Sequence, residues 1–176
     1  MGTGILMCGM NGAGKSTLGK ALADKLNYRF IDNEDLYFPK TDPNYLYAVE
    51  RTREEVERLL FEEIEKYKKF VFISVRGNYG DPEHPFFQYA VLVEVPRELR
   101  LQRVRDRSFK KLGDRMLPGG DLYEKEKQFY DFIACRPENT AEEWLKGISC
   151  PVIRVDGTKK IEENVDYIIK QLENLT

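Results

Sequence analysis

A chain of 176 residues suffices for one domain with one buried core. Hydrophobic residues make up 41% and charged residues 33% of it, the mix of a water-soluble globular protein rather than of a disordered or fibrous one. With 28 basic and 30 acidic residues the net charge is -2, so no overall positive field favours duplex nucleic acid or an anionic membrane. The three cysteines, Cys8, Cys135 and Cys150, lack metal-type spacing and read as free thiols of a reducing cytosol. The first apolar run, Ile5 to Cys8, is too short for a signal peptide or a membrane span, so the protein is expected in the cytoplasm.

In chain order, Ile5 to Cys8 predicts a buried strand. Leu18, Ala21, Leu22 and Leu26 recur at helical spacing and predict a helix from Lys15 to Leu26. Tyr28 to Ile31 is a second short strand. Val56, Leu59, Leu60 and Ile64 share one face of a helix over residues 50–67. Phe70 to Val75 and Ala90 to Val95 are strands three and four. Pro96 then opens a helix to about Phe109. A charged stretch with glycines follows at 110–120, helical patterns return at 121–134 and 138–147, Pro151 to Val155 is the last strand, and 160–174 the last helix. Strands that are mostly apolar without alternation are covered on both faces. Alternating with helices, they predict a single α/β domain over residues 1–176: a three-layer α/β/α sandwich around a five-stranded parallel sheet. Ligands of such sheets bind at the carboxyl ends of the strands.

The segment after strand one, Gly9-Met10-Asn11-Gly12-Ala13-Gly14-Lys15-Ser16-Thr17, has the spacing of a phosphate-binding loop. Its glycines permit backbone angles that turn successive N–H groups inward, and the first helical turn adds unpaired N–H groups at a positive dipole end. In this pattern Gly9, Asn11, Gly12, Ala13 and Gly14 line the phosphates of a nucleoside triphosphate, and Lys15 reaches the β- and γ-phosphates. Ser16 ligates Mg2+, and Thr17 contacts the α-phosphate by its position. The guanine-reading Asn-Lys-x-Asp of GTPases is absent, and strand three runs into Ser74-Val75-Arg76-Gly77 without the acid that motor ATPases carry. Acids follow strand two instead, at Asp32, Glu34 and Asp35. A carboxylate there could serve Mg2+ through water or take a proton from an attacking hydroxyl, with Asp32 favoured, or it could simply cap a helix. After strand four, Arg100, Arg103 and Arg107 share one helix face. They could pair with Glu98 and Asp106, or stack on adenine and neutralise a transferring phosphoryl group. Arg115 and Arg136 flank a segment with a Gly119-Gly120 hinge that could close as a lid over about 108–136.

The phosphate loop, the acidic end of strand two, the arginine helix, the lid and the terminal Val155-Asp156-Gly157-Thr158 together resemble the small P-loop kinases related to adenylate and shikimate kinases, over nearly the whole chain. Glu98, Leu99, Arg103 and Arg107 match the segment that begins the adenylate kinase lid. The resemblance implies that Arg103 stacks on adenine, Arg107 touches phosphate, Arg115 and Arg136 are lid arginines, and the backbone at Gly157 and Thr158 lines the purine. It also implies an ATP- and Mg2+-dependent phosphotransferase acting on a small acceptor, without nucleic acid or membrane, as monomer or homodimer. The acceptor side departs from both families, because Arg76-Gly77-Asn78-Tyr79-Gly80 follows strand three. Asp32, Glu34, Arg51, Arg53 and Arg76 could gather around an acidic acceptor, and Tyr37, Phe38, Tyr45, Tyr47 and Tyr79 could stack on a ring. Arg51 and Arg53 could equally pair with neighbouring glutamates. His84, the lone histidine, reads as a loop residue. The competing expectation is a nucleotide-binding regulatory or partner-binding module with no small acceptor.

Overall fold

The computed structural model describes residues 3–81, 83 and 85–175, so the expectation for His84 lies outside the described residues. Five strands alternate with seven α-helices and one 3-10 turn among those residues. The strands are β1 (Thr3–Cys8), β2 (Arg29–Asp32), β3 (Lys69–Ile73), β4 (Tyr89–Glu94) and β5 (Val152–Asp156). They form one sheet in the order β2-β3-β1-β4-β5, with every neighbouring pair parallel. In the central register Leu6 of β1 lies opposite Phe72 on one side and Ala90 on the other.

Successive strand residues point to opposite faces, and each face is sealed by helices. On one face Ile5, Met7, Val71, Ile73, Val91 and Val93 pack with Leu18 and Leu22 of α1 (Lys15–Leu26) and with Val165 and Ile168 of α7 (Ile161–Leu175). On the other, Leu6, Cys8, Phe70, Phe72, Ala90 and Leu92 meet Val56 and Leu60 of α3 (Arg53–Lys66) and Ala141 and Leu145 of α6 (Thr140–Leu145). The two edge strands depart from continuous burial: in β2 only Ile31 is buried, and in β5 Ile153 and Val155 are buried while Val152, Arg154 and Asp156 are exposed. The outward Arg154 is held by Glu94 at 2.7 Å and Glu142 at 2.9 Å.

Two segments differ from the sequence expectation. A short helix, α2 (Asn33–Tyr37), occupies the acidic turn after β2, because Asp32 caps it. The helix after β4, α4 (Arg97–Leu112), runs through Leu112 before the 3-10 turn Gly113–Met116. α5 (Tyr123–Cys135) then returns so that Glu126, Phe129 and Phe132 face the cleft beside the carboxyl edge of the sheet, within the segment expected to act as a lid. Residues 38–52, between α2 and α3, form a strap without regular structure. Among the described residues no helix is long and apolar enough to cross a membrane.

Candidate active site

β1 lies in the middle of the sheet, so the chain leaving Cys8 crosses the carboxyl edge at its centre before entering α1. Gly12 has φ 82°, and a Cβ there would lie 2.3 Å from the carbonyl oxygen of Arg100. Only glycine can hold that turn against α4. The cap of α1 is Gly14, and no side chain satisfies the first-turn N–H groups, which leaves them for an anion. Lys15 Nζ donates to the carbonyl of Met10 at 3.0 Å. Burial pushes its ammonium down to about 8, and Arg107 and Arg136 press the same way against the opposing pull of Cys8 and Asp32. An under-solvated cation flanked by two guanidiniums gains from a polyphosphate that neutralises all three.

Asp32 serves two purposes at the end of β2. Its Oδ1 accepts the N–H of Glu34 at 2.9 Å and caps α2, while Oδ2 accepts the Ser16 hydroxyl at 2.6 Å. Capping and function are therefore compatible: the cap fixes the carboxylate that faces the phosphate loop. The two oxygens are the hard donors that Mg2+ selects. No cluster of three acids, histidines or cysteines occurs among the described residues. The site thus suits an ion held by one or two protein oxygens and by phosphate, which is how Mg2+ is usually bound.

On the nucleoside side, Arg103 donates to the carbonyl of Gly157 at 3.4 and 3.3 Å and lies 3.8 Å from where a Cβ on Gly14 would stand. A Cβ on Gly157 would strike Val95, Val93 and the carbonyl of Ala13, so the loop after β5 seats directly on the phosphate loop. Asp156 Oδ1 braces it by accepting from the N–H of Thr158 at 2.9 Å and its hydroxyl at 2.6 Å. Arg103, Gly157, Thr158 and the phosphate loop are thus brought together. Arg100 is not part of this group. It is buried, donates to the carbonyls of Val95 and Asn11 at 3.1 Å each, and pairs with Glu138 at 2.6 Å, which makes it a structural tie behind the phosphate loop.

From Lys15 and Ser16 a cleft of about 880 Å3 runs past Asp32 to the strap and the lid. It gathers Asp32, Glu34, Arg76, Arg107 and Arg136 from the expected set. Arg136 Nη1 donates to Asn11 Oδ1 at 3.0 Å and its guanidinium stands 4.9 Å from the Phe132 ring centre. Burial, and then Arg76, hold its titration below the usual arginine range. Two expected residues are placed elsewhere. Arg51 precedes the Thr52 cap of α3 and donates to the carbonyl of Leu36 at 2.9 Å, away from the cleft lining. Arg115 is occupied by Asp121 at 2.9 and 2.7 Å and by the carbonyl of Asn44 at 2.7 Å. Arg53, two residues beyond Arg51, faces the cleft instead; it lies over the Tyr79 ring at 4.5 Å and donates to the carbonyl of Asn78. Tyr79 is buried, donates to Asn33 Oδ1 at 2.8 Å, and burial pushes its phenol up to about 12. Glu126, Phe129 and Phe132 of the lid also line the cleft and were not singled out from the sequence. The i, i+3 spacing of the two phenylalanines is visible there, but which face they take depends on the lid's packing.

A family model described as an AAA domain matches residues 5–128. A protein of Bacillus subtilis (strain 168), named as the uncharacterized protein YqaC, is 27% identical over 178 residues, covering 97% of both chains. A bifunctional shikimate kinase/3-dehydroquinate synthase of Thermotoga maritima is 26% identical over 147 residues, 80% of this chain; those residues span 30% of that longer protein. Among solved structures, shikimate kinase from Acinetobacter baumannii in complex with shikimate superposes with a TM-score of 0.56 at 17% identity, over 99% of this chain and 94% of that one. Deoxyadenosine kinase from M. mycoides gives 0.56 at 15% identity, over 98% and 100%. At such identities the likeness establishes the fold, a parallel sheet with helices on both faces and a phosphate loop at its centre.

Proposed function

The chain belongs to the AAA-domain family whose model it matches, and from that premise we propose that the protein is an ATP-dependent phosphotransferase that moves the γ-phosphoryl group to a small, anionic or ring-bearing acceptor. The observation that carries this reading is the meeting of the phosphate loop, Lys15 and Asp32 at the head of one cleft that runs on, past the loop, to walls made by the strap and α5. A donor-only module needs the first part of that cleft and has no use for the second. The curated relative and the solved structures named as kinases support the reading.

The amides of Gly12 to Thr17 and the Lys15 ammonium would bind the β- and γ-phosphates, with Arg103 and Gly157 beside the base. Ser16 and Asp32 would hold Mg2+, which when bound neutralises charge on the phosphoryl oxygens. Asp32 is also placed to orient the acceptor hydroxyl and to accept its proton at Oδ2; of its neighbours, Glu34 shares the cleft while Asp35 is exposed and paired with Lys40 at 2.6 Å. Arg107 and Arg136 would stabilise charge on the equatorial oxygens, and the lid and strap would exclude water. Arg53 and Arg76 face an anionic group on the acceptor. The test is ADP release from Mg-ATP, followed against a panel of nucleosides, nucleotides, sugar acids and alicyclic acids. At least one acceptor should raise the rate well above the acceptor-free background. A panel that leaves every rate at background would return the protein to the alternative of a nucleotide-binding module.

A further inference from the structure

The phosphoryl-transfer reading leaves the acceptor's body unspecified, and the far wall of the cleft supplies it. Two exposed phenylalanines, Phe129 at 37% and Phe132 at 59% exposure, stand one turn apart on α5 and line the cleft. Neighbouring apolar rings left open on one wall of a cleft make a contiguous surface that a ligand can cover. Across from them the strap presents Phe38, Tyr45 and Tyr47. Their rings brace one another edge to face, Phe38 to Tyr47 at 5.3 Å and Tyr45 to Tyr47 at 5.6 Å. The two tyrosine hydroxyls are already engaged. Tyr45 donates to Glu126 at 2.8 Å; Tyr47 accepts from Lys111 at 2.7 Å and approaches Glu34 at 3.3 Å. What these residues offer a ligand, rather than hydrogen bonds, is the ring surface left open by Lys111, 5.4 Å from the Tyr47 centre, Lys125, 5.2 Å from the Tyr45 centre, and Arg136, 4.9 Å from the Phe132 centre.

The same hydrogen bonds hold the two walls in register. Tyr45 to Glu126, Lys111 to Tyr47 and Arg115 to the carbonyl of Asn44 each join the strap to the lid. We infer that the strap and α5 form an aromatic clamp, and that the acceptor is a hydroxyl compound whose planar aromatic ring lies between Phe38 and Tyr47, one of which meets it by a face and the other by an edge, and Phe129 and Phe132 opposite. Flat rings gain from such face and edge contacts, whereas an open-chain or alicyclic polyol has no π-face to offer. This inference rests on the phosphotransferase reading for its second ligand but not for its geometry. The ring can belong to a nucleoside or to an aromatic hydroxy acid, and the experiment separates these sources.

Calorimetric titration in the presence of Mg-ADP tests the clamp without turnover. Four probe classes are compared: nucleosides, hydroxyphenyl acids, alicyclic hydroxy acids and open-chain sugar acids. One of the two aromatic classes should bind, and should bind more tightly than both non-aromatic ones. Phe132→Leu and Phe129→Leu, which keep bulk and lose the ring, should each weaken that binding about ten-fold, and Phe132→Tyr should restore it. Tighter binding of an alicyclic or open-chain acid, no aromatic binding at millimolar concentration, or unchanged affinity in both leucine variants would overturn the clamp. ADP release, measured on the same probes, answers the other question. Aromatic binding without ADP release defeats the transferase reading and leaves the clamp standing; release with a non-aromatic acceptor alone does the reverse.

Discussion

Lys15 carries the charge on which the donor half of the cleft depends, and its proton is the most readily measured consequence of the fold. Burial lowers its titration to about 8, while a bound polyphosphate favours the charged form and raises it again. The sign follows directly. Above pH 8 the unliganded protein has shed a proton that the complex must recover, so nucleotide binding should take up a proton between about pH 8 and 10, and affinity should fall over that range. Calorimetry in two buffers of different ionisation heat measures the uptake, and a pH-independent affinity would show that Lys15 does not touch the phosphates. Asp32 separates binding from chemistry. Asp32→Asn keeps an oxygen to accept from Ser16 or cap α2 but loses the base, so turnover should drop by about 100- to 10,000-fold while affinity for metal-free ADP stays within a few-fold. Steady-state ADP release beside direct binding of ADP without Mg2+ checks both halves. Arg51 and Arg53 show the limit of reading residues singly. They are two apart beside the same helix start, yet one ties down the end of α2 and the other faces the cleft.

Helix ends and buried ties decide how well each element presents its residues. The α3 helix starts at a complete capping box: the Thr52 hydroxyl accepts from the N–H of Glu55 at 3.2 Å, and the Glu55 carboxylate accepts from the N–H of Thr52 at 2.8 Å. Thr52→Ala should cost about 1 kcal/mol in urea unfolding, and because Arg53 is the next residue it should also raise the acceptor KM more than it lowers kcat. The α4 helix is anchored through Arg100, whose guanidinium joins the backbone behind the phosphate loop to Glu138. Arg100→Ala strips partners from buried carbonyls and empties part of a packed site, and about 3 kcal/mol of unfolding free energy should be lost. Equal stability in denaturant melts would show that the buried guanidinium and its half-exposed partner Glu138 are neutral here. These elements were legible beforehand: the helical spacing of Leu18 and Leu22 and the apolar runs of β1, β3 and β4 leave little alternative. The short α2 was not, because five residues offer too little periodicity and its single strong signal, the Asp32 cap, also reads as a catalytic acid.

Over the whole molecule, sheet order 2-3-1-4-5 puts β1 at the centre, and the phosphate loop therefore meets residues from β2, β3, α4 and the loop after β5. The strap is joined to the segment from α4 to α5 through Tyr45, Lys111 and Arg115. Tyr45→Phe removes the donor to the buried Glu126, so the lid should open more often, and limited proteolysis within about 108–136 should quicken severalfold without a comparable loss of global stability. Unchanged cleavage would mean that this contact does not restrain the lid. The phosphate loop's place between β1 and α1 was written in the sequence, because its parts are consecutive: a strand, a glycine-rich turn, Lys15, Ser16 and a helix dipole are local chemistry that a parallel sheet displays at its carboxyl edge. The acceptor half was legible only residue by residue, at Asp32, Arg53, Tyr79 and Arg136 but not at Phe132. Asp32, Arg53, Tyr79, Phe132 and Arg136 lie up to about a hundred residues apart and share a cleft only through strand order and the return of α5 beside it. Backbone turns and periodicity are properties of neighbours in the chain, whereas a binding wall made from five elements exists only once long-range packing has set their positions.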